Sequence, residues 1–191
     1  MNYKELIKDW ESEELYRFNM YDLSGKGLYE GTINFLSTVG LPTSAAPFLS
    51  FAGDSERELS SISDTFETGE EKHKYFLSIG SDGAGDPVCI DLGNECQVLI
   101  FNHEEDFEPT FMNSSVRELF QFLTLYKRFV EEVIRVNGED AFLDADFTDS
   151  QYDELKKALE AADKNALRAN TFWAQELAQL LGNREYYQNH K

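Results

Sequence analysis

The spacing of apolar residues predicts a short helix at the start of the chain, strands mixed with short helices in the middle, and two or three helices at the end. Asn2–Trp10 has the pattern of a short helix. Helical spacing over Thr32–Val39 stops at Gly40, and Pro42 prevents its resumption. Lys74–Ile79 is rich in aromatic and branched residues and predicts a strand. Shorter strands are predicted at Glu14–Phe18, Pro47–Phe51 and Leu59–Ile62, and a turn at Tyr21–Gly27.

The alternation of residues over Asp86–Phe101 predicts a β-hairpin. A three-residue loop, Gly93–Glu95, places the apolar residues of both strands on one face, whereas a two-residue loop would mix polar residues into it. That face would hold Val88, Ile90, Leu92, Cys96, Val98 and Ile100. Cys89 and Cys96 then point to opposite sides, which excludes a disulfide between them.

The longest predicted helix begins at a Ser115–Glu118 capping box and ends near Val136, before Asn137-Gly138. Its broad apolar arc, which reaches Ile134 and Val136, is typical of a helix packed on a sheet. Its polar stripe comprises Arg117, Gln121, Thr124, Arg128, Glu131, Glu132 and Arg135. A second capping box, Thr148 with Gln151, opens an amphipathic helix, and a last helix from Trp173 would end at Gly182. The expected fold is α+β: a central mixed or mostly antiparallel sheet flanked by helices.

Charge narrows the possible partners, because 36 acidic residues against 17 basic ones give a net charge of −19. This balance argues against nucleic acid and against anionic membranes as ligands. The 42 residues from Tyr75 to Val116 contain eight acids and no Lys or Arg. Solubilising surfaces usually mix both signs, so a one-signed stretch indicates a positive partner. No apolar run is long enough for a membrane helix or a secretion signal, and a cytoplasmic location is expected.

Candidate catalytic and metal motifs are outweighed by structural interpretations. The glycine-rich loop Asp82–Asp86 lacks a nearby base and a following helix, so a tight turn is favoured over a phosphate cradle. Asp144 and Asp146 resemble the aspartate pair of haloacid-dehalogenase-type phosphatases, but only 43 residues follow Thr148, too few for that fold. His103 beside Glu104–Asp106 is interpreted as a solvated loop, and His73 lies in a charged run. No catalytic residue, cofactor or metal site is predicted.

The middle of the chain resembles the SUKH superfamily. The resemblance runs over the turn Ile79–Gly83, the strand Gly85–Leu92, His103 near the end of a second strand, and the serine-capped helix after Asn113-Ser114-Ser115. Gly40-Leu41-Pro42 followed by Pro47–Phe51 resembles the subgroup with a "GLP" motif before the first sheet strand. The match covers about Thr32 to Leu125. The early Trp-Gly of the family appears here as Trp10-Glu11.

This resemblance implies a single SUKH-like domain over residues 1–191, with a core at about 28–137 and a helical extension at about 148–183. It also implies a non-catalytic bacterial immunity protein that neutralises a cognate toxin domain, often a nuclease. The charge pattern independently favours a basic toxin partner. The expected docking residues are Asp82, Asp86, Glu104, Glu105, Asp106 and Glu108, with Phe107 and Phe111 as anchors or, equally, core residues. A scaffold or regulatory protein with endogenous partners remains the alternative, and the oligomeric state stays open.

Overall fold

A computed structural model describes residues 6–51 and 59–190. Its centre is a six-stranded antiparallel sheet with strands in chain order, β3 to β8, and β1 pairs with β2 separately. The strands are β1 Leu15–Tyr16, β2 Leu41–Pro42, β3 Ser44–Ala45, β4 Leu49–Ser50, β5 Phe76–Ser81, β6 Pro87–Asp91, β7 Val98–Asn102 and β8 Glu108–Asn113. The α-helices are α1 Met20–Leu23, α2 Glu30–Thr38, α3 Ile62–Phe66, α4 Val116–Asn137, α5 Asp149–Ala162 and α6 Phe172–Asn189. Short 3₁₀ helices span Ser12–Glu14, Glu71–Tyr75 and Lys164–Leu167. The α+β prediction is confirmed.

Two short predictions differ from the structure. The segment 59–62 makes a single bridge, from Ser61 to Leu77, and then becomes helical, because the Ser61 hydroxyl caps α3 by accepting from the Asp64 N–H at 3.0 Å. The predicted turn at Tyr21–Gly27 begins with the short helix α1, capped by the Asn19 side chain. Residues 2–5 of the predicted first helix, Asn2–Trp10, lie outside the described residues, and residues 7–10 form bends and turns rather than a helix.

The register of the β6–β7 hairpin is the predicted one, but the strands end at Asp91 and begin again at Val98, so the connection is longer than the predicted three residues. Val88 pairs with Ile100 and Ile90 with Val98, and all four side chains lie in the main hydrophobic core together with Cys96. Cys89 lies on the opposite face, in a second, smaller cluster. Both cysteines are buried and free. Burial raises the pKa of the Cys89 thiol, so it stays protonated and unreactive in the folded protein.

Helix α4 lies across the main face of the sheet and buries Phe120 and Leu123 there. The Ser115 hydroxyl caps it by accepting from the Arg117 N–H at 3.1 Å, while Glu118 accepts from that hydroxyl, so the predicted reciprocal capping box does not form. The prediction that Thr124 lies on the polar stripe is wrong, because this residue is buried and accepts a 2.9 Å hydrogen bond from the indole N–H of Trp10.

The broad apolar arc also ends earlier than predicted. Ile134 and Val136 are 37% and 55% exposed, because the last turn of α4 carries them past the edge of the core. The buried face of α4 is therefore narrower than the apolar residues in its sequence predict.

The C-terminal helices add to the same core. The Thr148–Gln151 capping box forms as predicted, and Leu155, Trp173 and Leu177 are buried in the main cluster. Gly182 does not end the last helix, which continues to Asn189. A helix-ending glycine needs a positive φ, and Gly182 does not adopt one. Among the described residues, no helix is both long and apolar enough to cross a bilayer.

Gly40 ends α2 as the sequence indicates, and its role extends beyond the cap. Its φ is +82°, and a Cβ at this position would lie 2.1 Å from the carbonyl oxygen of Tyr16. The close approach lets the chain turn directly from α2 into β2, which pairs with β1.

Candidate functional site

The Asp82–Asp86 segment is a tight turn between β5 and β6, as predicted. The carboxylate of Asp82 accepts hydrogen bonds at 2.9 Å from the backbone N–H groups of Ala84 and Asp86. Gly85 supplies the positive φ, +92°, that closes the turn. Asp82 and Asp86 are half-buried, so part of each carboxylate is committed to this local structure.

A histidine–aspartate pair joins this turn to the connection between β7 and β8. One oxygen of Asp86 lies 2.6 Å from Nδ1 of His103 and also accepts the His103 backbone N–H at 2.9 Å. The imidazole ring stacks on Phe66, with ring centroids 6.3 Å apart. His103 therefore links two loops through its hydrogen bonds to Asp86, and it is not a residue of a fully solvated loop as predicted. This link is called the Asp86–His103 tie.

The acidic turn, defined here as residues 104–108, projects from the end of this tie. Asn102 holds it: its side chain accepts from the Glu104 N–H at 3.0 Å, and its carbonyl accepts from the Phe107 N–H at 3.0 Å. The carboxylates of Glu104, Glu105, Asp106 and Glu108 are exposed to solvent. Within residues 6–51 and 59–190, none of these four has an ion-pair partner within 4.0 Å.

The acidic turn is not free of positive charge. Lys72, on the 3₁₀ helix Glu71–Tyr75, lies near Asp106 and Glu108, whose charges contribute to raising its pKa. Its direct partner is Glu70, at 2.9 Å, and this pair is the largest cause of the shift. One side of the acidic turn therefore faces a lysine, and Glu104 and Glu105 are its least compensated members.

Phe107 points inward from the acidic turn and packs in the second cluster. Its ring centroid lies 4.9 Å from that of Phe66 and 5.5 Å from that of His73. His73 is buried, although it sits in a charged sequence, and its Nδ1 lies 2.7 Å from the hydroxyl of Thr68. Hydropathy alone places such a histidine at the surface, so sequence reasoning missed it. Phe107 thus fixes the shape of the turn.

Phe111 is separated from the acidic turn. It lies on β8 opposite Leu99, about 10 Å along the strand from Glu108. There it borders a polar groove of about 460 Å³ that also includes Gln97, Asn165 and Arg168. The structure therefore brings together Asp86 and the acidic turn, but places Phe111 elsewhere.

The phosphatase-like pair does not sit in a phosphatase-like setting. Asp144 and Asp146 are exposed in a series of turns between α4 and α5, and the sheet beside them is antiparallel. Within the described ranges, no group of three or more His, Cys, Asp and Glu side chains is arranged to hold a metal ion.

The antiparallel sheet backed by helices, with an exposed acidic turn at one end of its strands, defines the chain as an α+β protein. The profile of the SUKH-4 immunity protein family matches residues 2–179. The chain therefore belongs to the SUKH-4 family of immunity proteins, and the predicted SUKH relationship is confirmed. No curated protein and no solved structure is significantly similar to it. Family membership supports an immunity role through binding of a cognate toxin.

Proposed function

We propose that this protein neutralises a basic toxin domain, such as a nuclease, by covering its cationic surface with the acidic turn. The family match supports the immunity role. The observation that carries the finer proposal is the set of four exposed carboxylates at residues 104–108, none of which forms an ion pair within 4.0 Å among the described residues.

Electrostatic complementarity explains why such a surface suits this task. A nuclease needs positive potential to hold phosphate, and a partner of opposite charge is steered toward it, with association rates well above the neutral ~10⁵–10⁶ M⁻¹s⁻¹. The Asp86–His103 tie and the packing of Phe107 hold the turn in one shape before binding. A preformed surface loses less conformational entropy on association.

The direct test measures binding to a candidate toxin, namely the basic C-terminal domain of any secreted protein that proves to be encoded beside this gene. The triple variant Glu104→Lys, Glu105→Lys and Asp106→Lys should slow association at low salt by about ten-fold or more, since rim charges act mainly on the on-rate. Raising the ionic strength should shrink the difference between variant and native protein.

A matched control reverses three exposed acids on α5: Asp153, Glu154 and Glu160. This variant carries the same change in net charge on a different element, so it separates local from global electrostatics. Equal slowing in both variants would show that only net charge matters and would remove the acidic turn from the proposal. Failure of the native protein to bind any such domain would favour a regulatory role with other partners.

A further inference from the structure

A second surface feature lies beside the same Asp82–Asp86 turn: an apolar groove between the β3–β4 connection, the α4–α5 connection and helix α6. Its volume is about 390 Å³. Its walls include Phe48, Tyr126, Phe142, Leu143 and Leu180, with Glu176 of α6 among the few polar groups. This groove is hereafter called the Glu176 groove.

Two side chains in the walls are unusually exposed for their type. Phe48 is 82% exposed and Leu143 is 71% exposed, which places both among the most exposed large apolar residues of the described chain. Phe48 also adopts a φ of +72°, a conformation that costs energy for an aromatic residue. An exposed aromatic ring held in a strained backbone indicates a contact surface, because neither feature stabilises the isolated protein.

Glu176 is the one acidic residue among the described residues that line this otherwise mostly apolar groove. Partial burial, and then the nearby charge of Asp82, raise the pKa of Glu176 to about 7. None of the described residues that line the groove is a lysine or an arginine. Arg184, two turns further along α6, donates hydrogen bonds to the carboxylate of Asp149 at 2.7 Å and to the carbonyl of Phe147 at 3.2 Å. Glu176 thus lacks a cationic partner within this surface.

We propose that the Glu176 groove receives an arginine or lysine side chain of the toxin domain, as a specific anchor beside the acidic turn. This inference rests on the proposed function and adds the position of the central contact. The apolar walls fit the aliphatic part of a long basic side chain, and the exposed ring of Phe48 offers an aromatic face to its charged end. Glu176 and Asp82 supply the opposite charge.

The Glu176 groove is connected to the acidic turn through the Asp82–Asp86 turn. At the groove, the charge of Asp82 contributes to raising the pKa of Glu176. Asp86, in the same turn as Asp82, is hydrogen-bonded to His103, the residue that precedes Glu104. A Cβ added at Gly83 would lie 3.4 Å from the Cβ of Phe48, so the Asp82–Asp86 turn lies beside the groove wall. One cationic partner can therefore span both features.

The first experiment tests the groove without a toxin. The full-length protein is titrated with N-acetyl-arginine methylamide, and with the uncharged norleucine analogue, while NMR follows the side-chain amides of Gln179 and Asn183, which line the groove. The expected result is a saturable shift with the arginine probe that is lost in Glu176→Gln and kept in Glu185→Gln, an exposed control on α6. Equal shifts with norleucine, or none with arginine, would overturn the proposal.

The second experiment uses the neighbouring basic domain. Glu176→Gln and Phe48→Ala should each weaken binding by about ten-fold or more, while the controls Glu185→Gln and Tyr21→Ala leave it unchanged. Binding by the native protein that neither variant weakens would reject the groove but leave the acidic turn in place. Absence of native binding would reject the proposed function, and the arginine titration would still decide the groove. A dimer in solution that Phe48→Ala dissociates would instead assign the groove to a second copy of the chain.

Discussion

The two faces of the six-stranded sheet are covered to very different depths. Helices α2, α4, α5 and α6 pack on one face and share a single large cluster with Ile90 and Val98. The other face carries a small cluster built around Ile62, Cys89, Leu99 and Phe101, closed by α3 and the 3₁₀ helix Glu71–Tyr75. These two sides are called the helical face and the thin face. The acidic turn lies on the thin face, where the packing of Phe107 holds it. Stability thus resides mainly on the helical face, whereas the acidic turn lies on the thin face.

The largest expected effect comes from the centre of the helical face. Phe120→Ala removes a side chain with 0% exposure and should lower the free energy of unfolding by about 3–5 kcal/mol, because the cavity cannot collapse among packed helices. Leu99→Ala, in the small cluster, should cost about 2 kcal/mol. Urea denaturation measures both. An equal or larger loss for Leu99→Ala would break the distinction between the two faces.

The next largest effect on stability is expected from a group of buried hydrogen bonds on the helical face. The buried carboxylate of Asp163 accepts from the Ser114 N–H at 2.7 Å and the Ser114 hydroxyl at 3.0 Å, and so joins the end of α5 to the start of α4. Asp163→Ala leaves these donors unpaired and should cost about 2–3 kcal/mol in thermal or urea unfolding. Asp153→Ala, an exposed change on α5, is the control and should be nearly neutral.

On the thin face, Phe107→Ala should act locally. Phe107 is half-buried, so its loss should cost about 1–2 kcal/mol. Hydrogen exchange should quicken at the backbone N–H groups of the acidic turn and remain slow in α4, since local opening follows local packing. Faster exchange throughout α4 would mean that the two faces unfold as one unit.

The smallest expected effect is on pH dependence. The folded-state pKa of Glu176 is raised to about 7, so the native state binds this proton more tightly than the unfolded chain and stability falls as pH rises from about 5 to 7. Partial exposure screens the shift, so Glu176→Gln should stabilise the protein by only about 1 kcal/mol at pH 8 and not at pH 4. Among the described residues, Tyr126 and Asp82 are titratable groups that interact electrostatically with Glu176.

Chemical denaturation at the two pH values provides this measurement. Glu185→Gln should change stability at neither pH, because Glu185 is exposed. A gain in Glu176→Gln that is the same at pH 4 and pH 8 would show that removal of charge is not its cause.

Local patterns were sufficient for much of the fold. Alternation over Asp86–Phe101 determined the hairpin register and the opposite placement of Cys89 and Cys96, because a shift by one residue would expose every apolar side chain. Gly40 and Ser115 marked helix ends correctly, since caps depend on a few adjacent residues. The lysine- and arginine-free segment indicated an acidic surface, and the fold leaves Glu95 and the four acids of residues 104–108 exposed to solvent.

Contacts between distant residues could not be predicted in this way. The burial of Thr124 depends on Trp10, the tie of Asp86 depends on His103, and the groove around Glu176 depends on Phe48 and Leu143 from other elements. Each of these contacts joins residues that are far apart in the chain. A sequence pattern does not indicate which distant residues come close together in the fold. Only the tertiary structure decided which acids are committed to internal bonds, which remain exposed, and which one sits in an apolar groove.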